Sequence, residues 1–276
     1  MSRVRSNGIE LEYETFGDPT APPLLLIAGL GMQMVGWDVD FCELLVSRGF
    51  RVIRFDNRDA GLSTWPEQAY TLEDMADDAV GLLDALGIGA AHVVGASMGG
   101  FIAQLVALNH PERVLTLTSM ISGPNGQDQV PPTAEGTAVL MAPPPQTRDE
   151  RIALGMRSKR TLLGPEDPFE EAWERPRIER AIDRAYNPPG FMRQLAAIMA
   201  ATGRIERLRS LRVPTLVIHG DHDILVPVDN GRNVAAAIPG ARLVEIRGMG
   251  HDVPRRVWVQ VADAIAALAR QSAPSC

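Results

Sequence analysis

Six residues constrain this chain more than any others: Gly95-Ala96-Ser97-Met98-Gly99-Gly100. They follow an apolar run, His92-Val93-Val94, and lead into Phe101 to Leu108, whose spacing is helical. A strand that passes into a helix this abruptly carries its serine on a sharp bend, in a strained backbone conformation. Glycine on either side lets neighbouring chain pass close by. The bend lifts the hydroxyl clear of the sheet, and the helix points its first N–H groups at whatever reacts there. The plainer reading is an accidental glycine-rich turn. The flanking strand and helix, and the residues that could serve Ser97, weigh against it.

A serine hydroxyl is a poor nucleophile near neutral pH and needs an adjacent base. His251, in Gly248-Met249-Gly250-His251, follows the last predicted strand and suits that role. The other histidines have local readings. His92 begins the elbow strand at its far end, His110 caps a helix before Pro111, His219 ends a strand, and His222 lies in a polar loop. An acid that orients the base is expected between serine and histidine in chain order. Asp223 fits, in a Gly-x-x-Asp turn before Val226-Pro227, with Asp221 as the fallback. His219 to Asp223 could pass for a metal cluster, but consecutive loop residues rarely converge on one ion and no metal-ligand spacing is present, so no metal is expected.

Two N–H donors are needed where negative charge develops. Met98, directly after Ser97, is one. Leu30, in the Gly29-Leu30-Gly31 loop after another predicted strand, is the other. That loop is no dinucleotide cradle, because Met34 stands where G-x-G-x-x-G requires glycine. Asp56 to Ser63 reads as a hydrogen-bonded loop supporting the same face. Gly29, Gly31, Met32, Met34, Trp37 and Met249 stand near these elements and are candidate substrate contacts. Flexible, polarizable methionines suit an apolar ligand, although core filling is the plainer reading and is preferred for Met120.

Buried strands are expected at Leu24–Ala28, Arg51–Phe55, His92–Gly95, Val114–Met120, Val213–Ile218 and Arg242–Ile246, and a hairpin at Asn7-Gly8. Helical spacing covers Trp37–Arg48, Thr71–Leu86, Phe101–Leu108, Asn230–Ile238 and Pro254–Arg270. Thr71 and Asp74 form a capping-box pair. This alternation calls for a parallel, doubly wound α/β sheet. It breaks between Gly123 and Leu211, where proline-rich stretches flank helical segments at Arg148–Arg160 and Phe169–Tyr186. Residues 1–122 and 212–276 are therefore expected to form the α/β core, and 123–211 a helical cap.

The net charge of −7 argues against nucleic acid, whose phosphates need a basic face. Cys42 and Cys276 are the only cysteines, too few for a disulfide framework, which suits a reducing compartment. No stretch approaches the length of a membrane span and the N-terminus lacks an apolar core, so no membrane partner and a cytoplasmic location are expected. A homodimer is allowed for.

Along almost its whole length the chain resembles the α/β-hydrolases. Within them it resembles the aclacinomycin-methylesterase-like branch of serine esterases. The resemblance rests on Phe55-Asp56-Asn57-Arg58, His92-Val93-Val94-Gly95, Ser97-Met98-Gly99, Val213-Pro214-Thr215-Leu216-Val217-Ile218 and Gly248-Met249-Gly250-His251. It implies an α/β-hydrolase fold: a mostly parallel eight-stranded sheet flanked by helices, with a helical cap. It also implies nucleophile Ser97, acid Asp223, base His251, oxyanion donors Leu30 and Met98, and no cofactor. Leu30 stands where that branch carries a small glycine. A leucine there narrows the acyl side and argues against polyketide methyl esters. The serine at the elbow separates the chain from epoxide hydrolases and haloalkane dehalogenases, where the family places aspartate. The expected activity is cleavage of a small-molecule carboxylic ester with an apolar portion through an acyl-enzyme. A cofactor-free perhydrolase (non-haem haloperoxidase), a lactonase and a carbon–carbon bond hydrolase share the same residues and stay open, as does a ligand-sensing protein on the same scaffold.

Overall fold

The computed structural model describes residues 2–272. The first strands, β1 (Ser2–Ser6) and β2 (Ile9–Phe16), form the expected antiparallel hairpin. Asn7 and Gly8 turn it with φ of 46° and 81°, the left-handed pair that such a tight turn needs. The remaining strands are β3 (Pro23–Ile27), β4 (Arg51–Phe55), β5 (Ala91–Ala96), β6 (Val114–Met120), β7 (Thr215–Gly220) and β8 (Arg242–Ile246). They lie in the order β1-β2-β4-β3-β5-β6-β7-β8 and are parallel from β4 onward.

The order contains a reversal. From β3 the chain steps outward to β4, then returns to lay β5 on the other side of β3. Helices leaving β3 and β5 must part at that point. A crevice therefore opens at the carboxyl ends of these two strands, where open α/β sheets bind their ligands.

The central strands are buried on both faces, which is why they read as unbroken apolar runs. Successive side chains feed opposite layers. Leu25, Ile27 and Val93 pack with α2 (Leu72–Ala85) and α3 (Met98–Asn109). Leu24, Leu26 and Val94 pack with α1 (Val39–Val46) and α10 (Trp258–Ser272). Thr71 caps α2 reciprocally: its hydroxyl accepts the Asp74 N–H and the Asp74 carboxylate accepts the Thr71 N–H.

Between β6 and β7 the chain forms α4 (Ala134–Leu140), α5 (Arg148–Leu162), α6 (Glu171–Arg184), α7 (Pro188–Ala200) and α8 (Ile205–Leu208). The α9 helix (Asp229–Ala237) then joins β7 to β8. Among the described residues this stretch holds no strand. The segments expected at Arg148–Arg160 and Phe169–Tyr186 are α5 and α6; α4, α7 and α8 were not foreseen. The helix expected over Trp37–Arg48 is shorter. A 3₁₀ turn covers Met34–Gly36, and α1 starts only after Asp38, whose carboxylate accepts the Asp40 N–H. Among the described residues no helix is long and apolar enough to cross a membrane. Cys42 is buried, and burial pushes its thiol pKa up to about 12; Cys276 lies outside the described residues.

Candidate active site

Ser97 links β5 to α3 and carries φ +55°, ψ −120°, a conformation that costs a non-glycine residue about 1–3 kcal/mol. The surroundings hold it there. Its N–H donates to the Met120 carbonyl at 2.9 Å. Its carbonyl accepts the Gly100 N–H at 2.8 Å and the Ser122 hydroxyl at 2.8 Å. A Cβ on Gly99 would run into the Ile27 carbonyl, and one on Gly95 into the Gly99 carbonyl. The helix after Ser97 thus crosses β3 and β5 too closely for any larger residue.

His251 lies in the loop between β8 and α10. Its Nε2 is 3.0 Å from Ser97 Oγ, and its Nδ1 is 2.7 Å from Asp223 Oδ2. Its own N–H donates to the Leu162 carbonyl at the end of α5, which fixes the loop from the inserted side. Asp223 follows β7. Its Oδ1 accepts the N–H groups of Leu225 (2.9 Å) and Val226 (2.7 Å), leaving Oδ2 for the imidazole. Burial alone would raise the Asp223 pKa. Attraction to His251 and hydrogen bonds from His219 and His251 outweigh burial and hold it at about 2.

His219 hydrogen-bonds within the same turn. Its Nε2 lies 2.7 Å from the Val226 carbonyl and 3.3 Å from Asp223 Oδ2. A carbonyl only accepts, so Nε2 carries the proton. Asp221 points elsewhere, accepting the Gly248 N–H and pairing with His222 at the surface. Four residues that are close in sequence thus split between interior and solvent, and no group of three or more potential metal-binding side chains forms among the described residues.

Gly29 lies against the elbow: a Cβ on it would sit 3.4 Å from Ser97 Cβ. Gly29 to Met32 form a turn in which the Met32 N–H donates to the Gly29 carbonyl at 3.1 Å and Gly31 has φ +66°. The Gly31 N–H donates to Gln194 Oε1 at 2.8 Å. The N–H groups of Leu30 and Met98 find no acceptor among the described residues. Met98 sits in the first turn of α3, whose N–H groups have no partner within the helix.

The expected pocket wall needs correction. Trp37 stacks on Phe41 (centroids 6.0 Å apart), and both belong, with Met249, to the core layer under α1 and α10. Met34 is fully buried, its N–H donating to Asp56 Oδ1 at 2.7 Å. These three residues are interior. The cause is local: the 3₁₀ turn at Met34–Gly36 directs the loop back into the molecule, which its spacing does not reveal. Met32 is half-buried, folded over Gly36. Gly31 faces the Phe191 ring, which would clash with any Cβ there.

The Asp56–Ser63 loop is hydrogen-bonded to the Met34 N–H and the Ala28 carbonyl beside the site, and it grips the inserted helices. Asp56 pairs with Arg184 at 2.7 Å, and Asp59 takes Arg193 through both carboxylate oxygens at 2.7 and 2.9 Å. Phe191, Arg193 and Gln194 all come from α7, and nothing in the sequence reading pointed to them. A signal existed: Asn187 before Pro188-Pro189 is a cap followed by prolines at the first helical positions, a usual helix start.

Fold and site together define a class, the α/β hydrolases with a serine elbow. The chain belongs to that family: the alpha/beta hydrolase fold matches residues 22–254. Among its relatives, rhodomycin D methylesterase DnrP of Streptomyces peucetius is 34% identical, over 97% of both chains. An enol-lactonase from Burkholderia xenovorans LB400 has a TM-score of 0.77 at 27% identity, covering 99% of this chain and 100% of its own. A meta-cleavage product hydrolase (CumD) from Pseudomonas fluorescens has a TM-score of 0.84 at 23% identity, over 99% and 98% of the two chains, a likeness of fold alone.

Proposed function

We propose that this chain hydrolyses carboxylic esters of an apolar small molecule through an acyl-enzyme, with Ser97 as nucleophile, His251 as base and Asp223 as the orienting acid. One observation carries the reading. An unbroken line of contacts runs from Asp223 Oδ2 through both imidazole nitrogens to Ser97 Oγ, at 2.7 and 3.0 Å. Asp223 accepts the Nδ1 proton, so Nε2 is left free to take the proton of the serine hydroxyl.

In this reading Ser97 Oγ attacks the ester carbonyl as its proton passes to His251 Nε2. The carbonyl oxygen becomes an oxyanion held by the N–H groups of Leu30 and Met98. The C–O bond to the alcohol then breaks, and His251 returns the proton to the leaving oxygen. Water, deprotonated by the same nitrogen, releases the acid and restores Ser97. Residues 123–211 act as a cap over this face. Leu30, Gly29, Gly31 and Met32 stand nearest the acyl group. The relative that is a methylesterase supports an ester as substrate. The enol-lactonase supports lactones as a second substrate class.

Ser97→Ala is expected to remove nearly all turnover of p-nitrophenyl esters while leaving the circular-dichroism spectrum and the melting temperature intact. Full activity in that variant refutes the assignment.

A further inference from the structure

We infer that Gln194, on α7, is a positioning residue for the oxyanion-binding turn, an inference that rests on the hydrolase reading above. Its side chain is fully buried and bridges two segments that are far apart in the sequence. Gln194 Oε1 accepts the Gly31 N–H at 2.8 Å, and Nε2 donates to the Arg58 carbonyl at 2.8 Å. The orientation of the amide is set by its partners, because an N–H requires the oxygen and a carbonyl requires the nitrogen.

The bridge matters because of where Gly31 lies. The peptide joining Leu30 to Gly31 is the middle peptide of the Gly29–Met32 turn. In reverse turns it can take either of two orientations related by a flip of about 180°. Gly31 at φ +66° is in the left-handed region belonging to one of them. By capturing the Gly31 N–H, Gln194 holds that orientation. Gly31 is thereby removed as a donor, and the N–H left unpaired in the turn is that of Leu30, the residue after Gly29, which lies against Ser97.

The far end of the brace is also anchored. The Arg58 guanidinium grips Asp78 of α2 through two hydrogen bonds of 2.6 and 2.7 Å, and the neighbouring Asp59 holds Arg193. Gln194 therefore sets the geometry of the oxyanion turn from a fully buried position behind it.

The test compares Gln194→Met, which keeps length and loses both hydrogen bonds, with Gln194→Asn, which keeps the amide and loses reach. Rates are expressed per serine titrated with a fluorophosphonate, so unfolded molecules do not count. Both variants are expected to lose ten- to a hundredfold in kcat on p-nitrophenyl butyrate, with KM within about threefold of the parent. The Ki of a trifluoromethyl ketone, which forms a tetrahedral oxyanion on the serine, is expected to rise by the same factor. A merely structural role would lower the titratable fraction and leave kcat per site and Ki unchanged; that result overturns the inference, as does a loss confined to KM. Ser97→Ala, assayed per mole of folded protein, separates the failures. Activity lost in Ser97→Ala but retained per site in both Gln194 variants overturns only the role of Gln194. Full activity in Ser97→Ala overturns both readings, as does parent protein that neither labels nor turns over ester.

Discussion

Asp223 illustrates how a buried carboxylate stays ionised. Burial opposes its charge, yet two backbone N–H groups and two imidazoles surround it, and its pKa is held at about 2 against an ordinary 3.8. Between these values the unfolded chain binds more protons than the folded one. The residue therefore contributes stability above about pH 3.8, lost as the pH falls through about 2. Its amide counterpart would offer an N–H or a neutral oxygen where the imidazole needs an anion. Asp223→Asn is expected to lower kcat by roughly 10⁴, the size of the corresponding change in a serine protease, with the fold retained. Steady-state kinetics together with a melting curve check this, and a loss under tenfold would count against the assigned role. The sequence points to Asp223 rather than Asp221 through a local pattern, the Gly-x-x-Asp turn before Val-Pro, and it is Asp223 that meets His251 in the structure. The second histidine on Asp223 was not, because His219 meets it only once the turn has closed.

At the scale of elements, legibility follows how local the cause is. The cap of α2 was readable because both partners lie within four residues of each other, and both arms of the box are formed. Thr71→Ala leaves the Asp74 N–H without its acceptor and should cost about 1 kcal/mol, lowering the melting temperature by roughly 2–4 °C. Differential scanning calorimetry measures this, and an unchanged transition would mean that water replaces the cap. The α7 helix went unread because Pro188-Pro189 looks like a break. Prolines at the first two positions of a helix sacrifice no hydrogen bond, and Asn187 caps them by accepting the Gly190 N–H at 3.1 Å. That omission hid Arg193, which binds Asp59. Trp37 failed for the opposite reason: its helical spacing was apparent, but the tight turn before it made it an interior residue.

Across the whole molecule, burial of a histidine remote from the site is expected to couple stability to pH. His92 is buried in β5 with Nδ1 2.9 Å from the Thr116 hydroxyl, and burial pulls its pKa down to about 4 from 6.5. Between those values the unfolded chain takes up the proton and the folded one does not, so stability should rise with pH from about 4 to 6.5. Melting temperatures across that range should climb, and His92→Gln should flatten part of the climb. An unaltered slope in the variant would assign the effect to other groups. The alternation of strand and helix outside residues 123–211 and the β5–α3 elbow could be read from the chain alone, because alternation, helical spacing and glycine turns are written in adjacent residues. The meeting of His251 with Ser97 and Asp223, across 154 and 28 residues, required the sheet to bring the carboxyl ends of its strands together. Which backbone N–H groups stay free, and which helix side chain meets the Gly29–Met32 turn, was decided only by tertiary packing. Hydrogen bonds are exclusive, and a donor's partner depends on what folds against it.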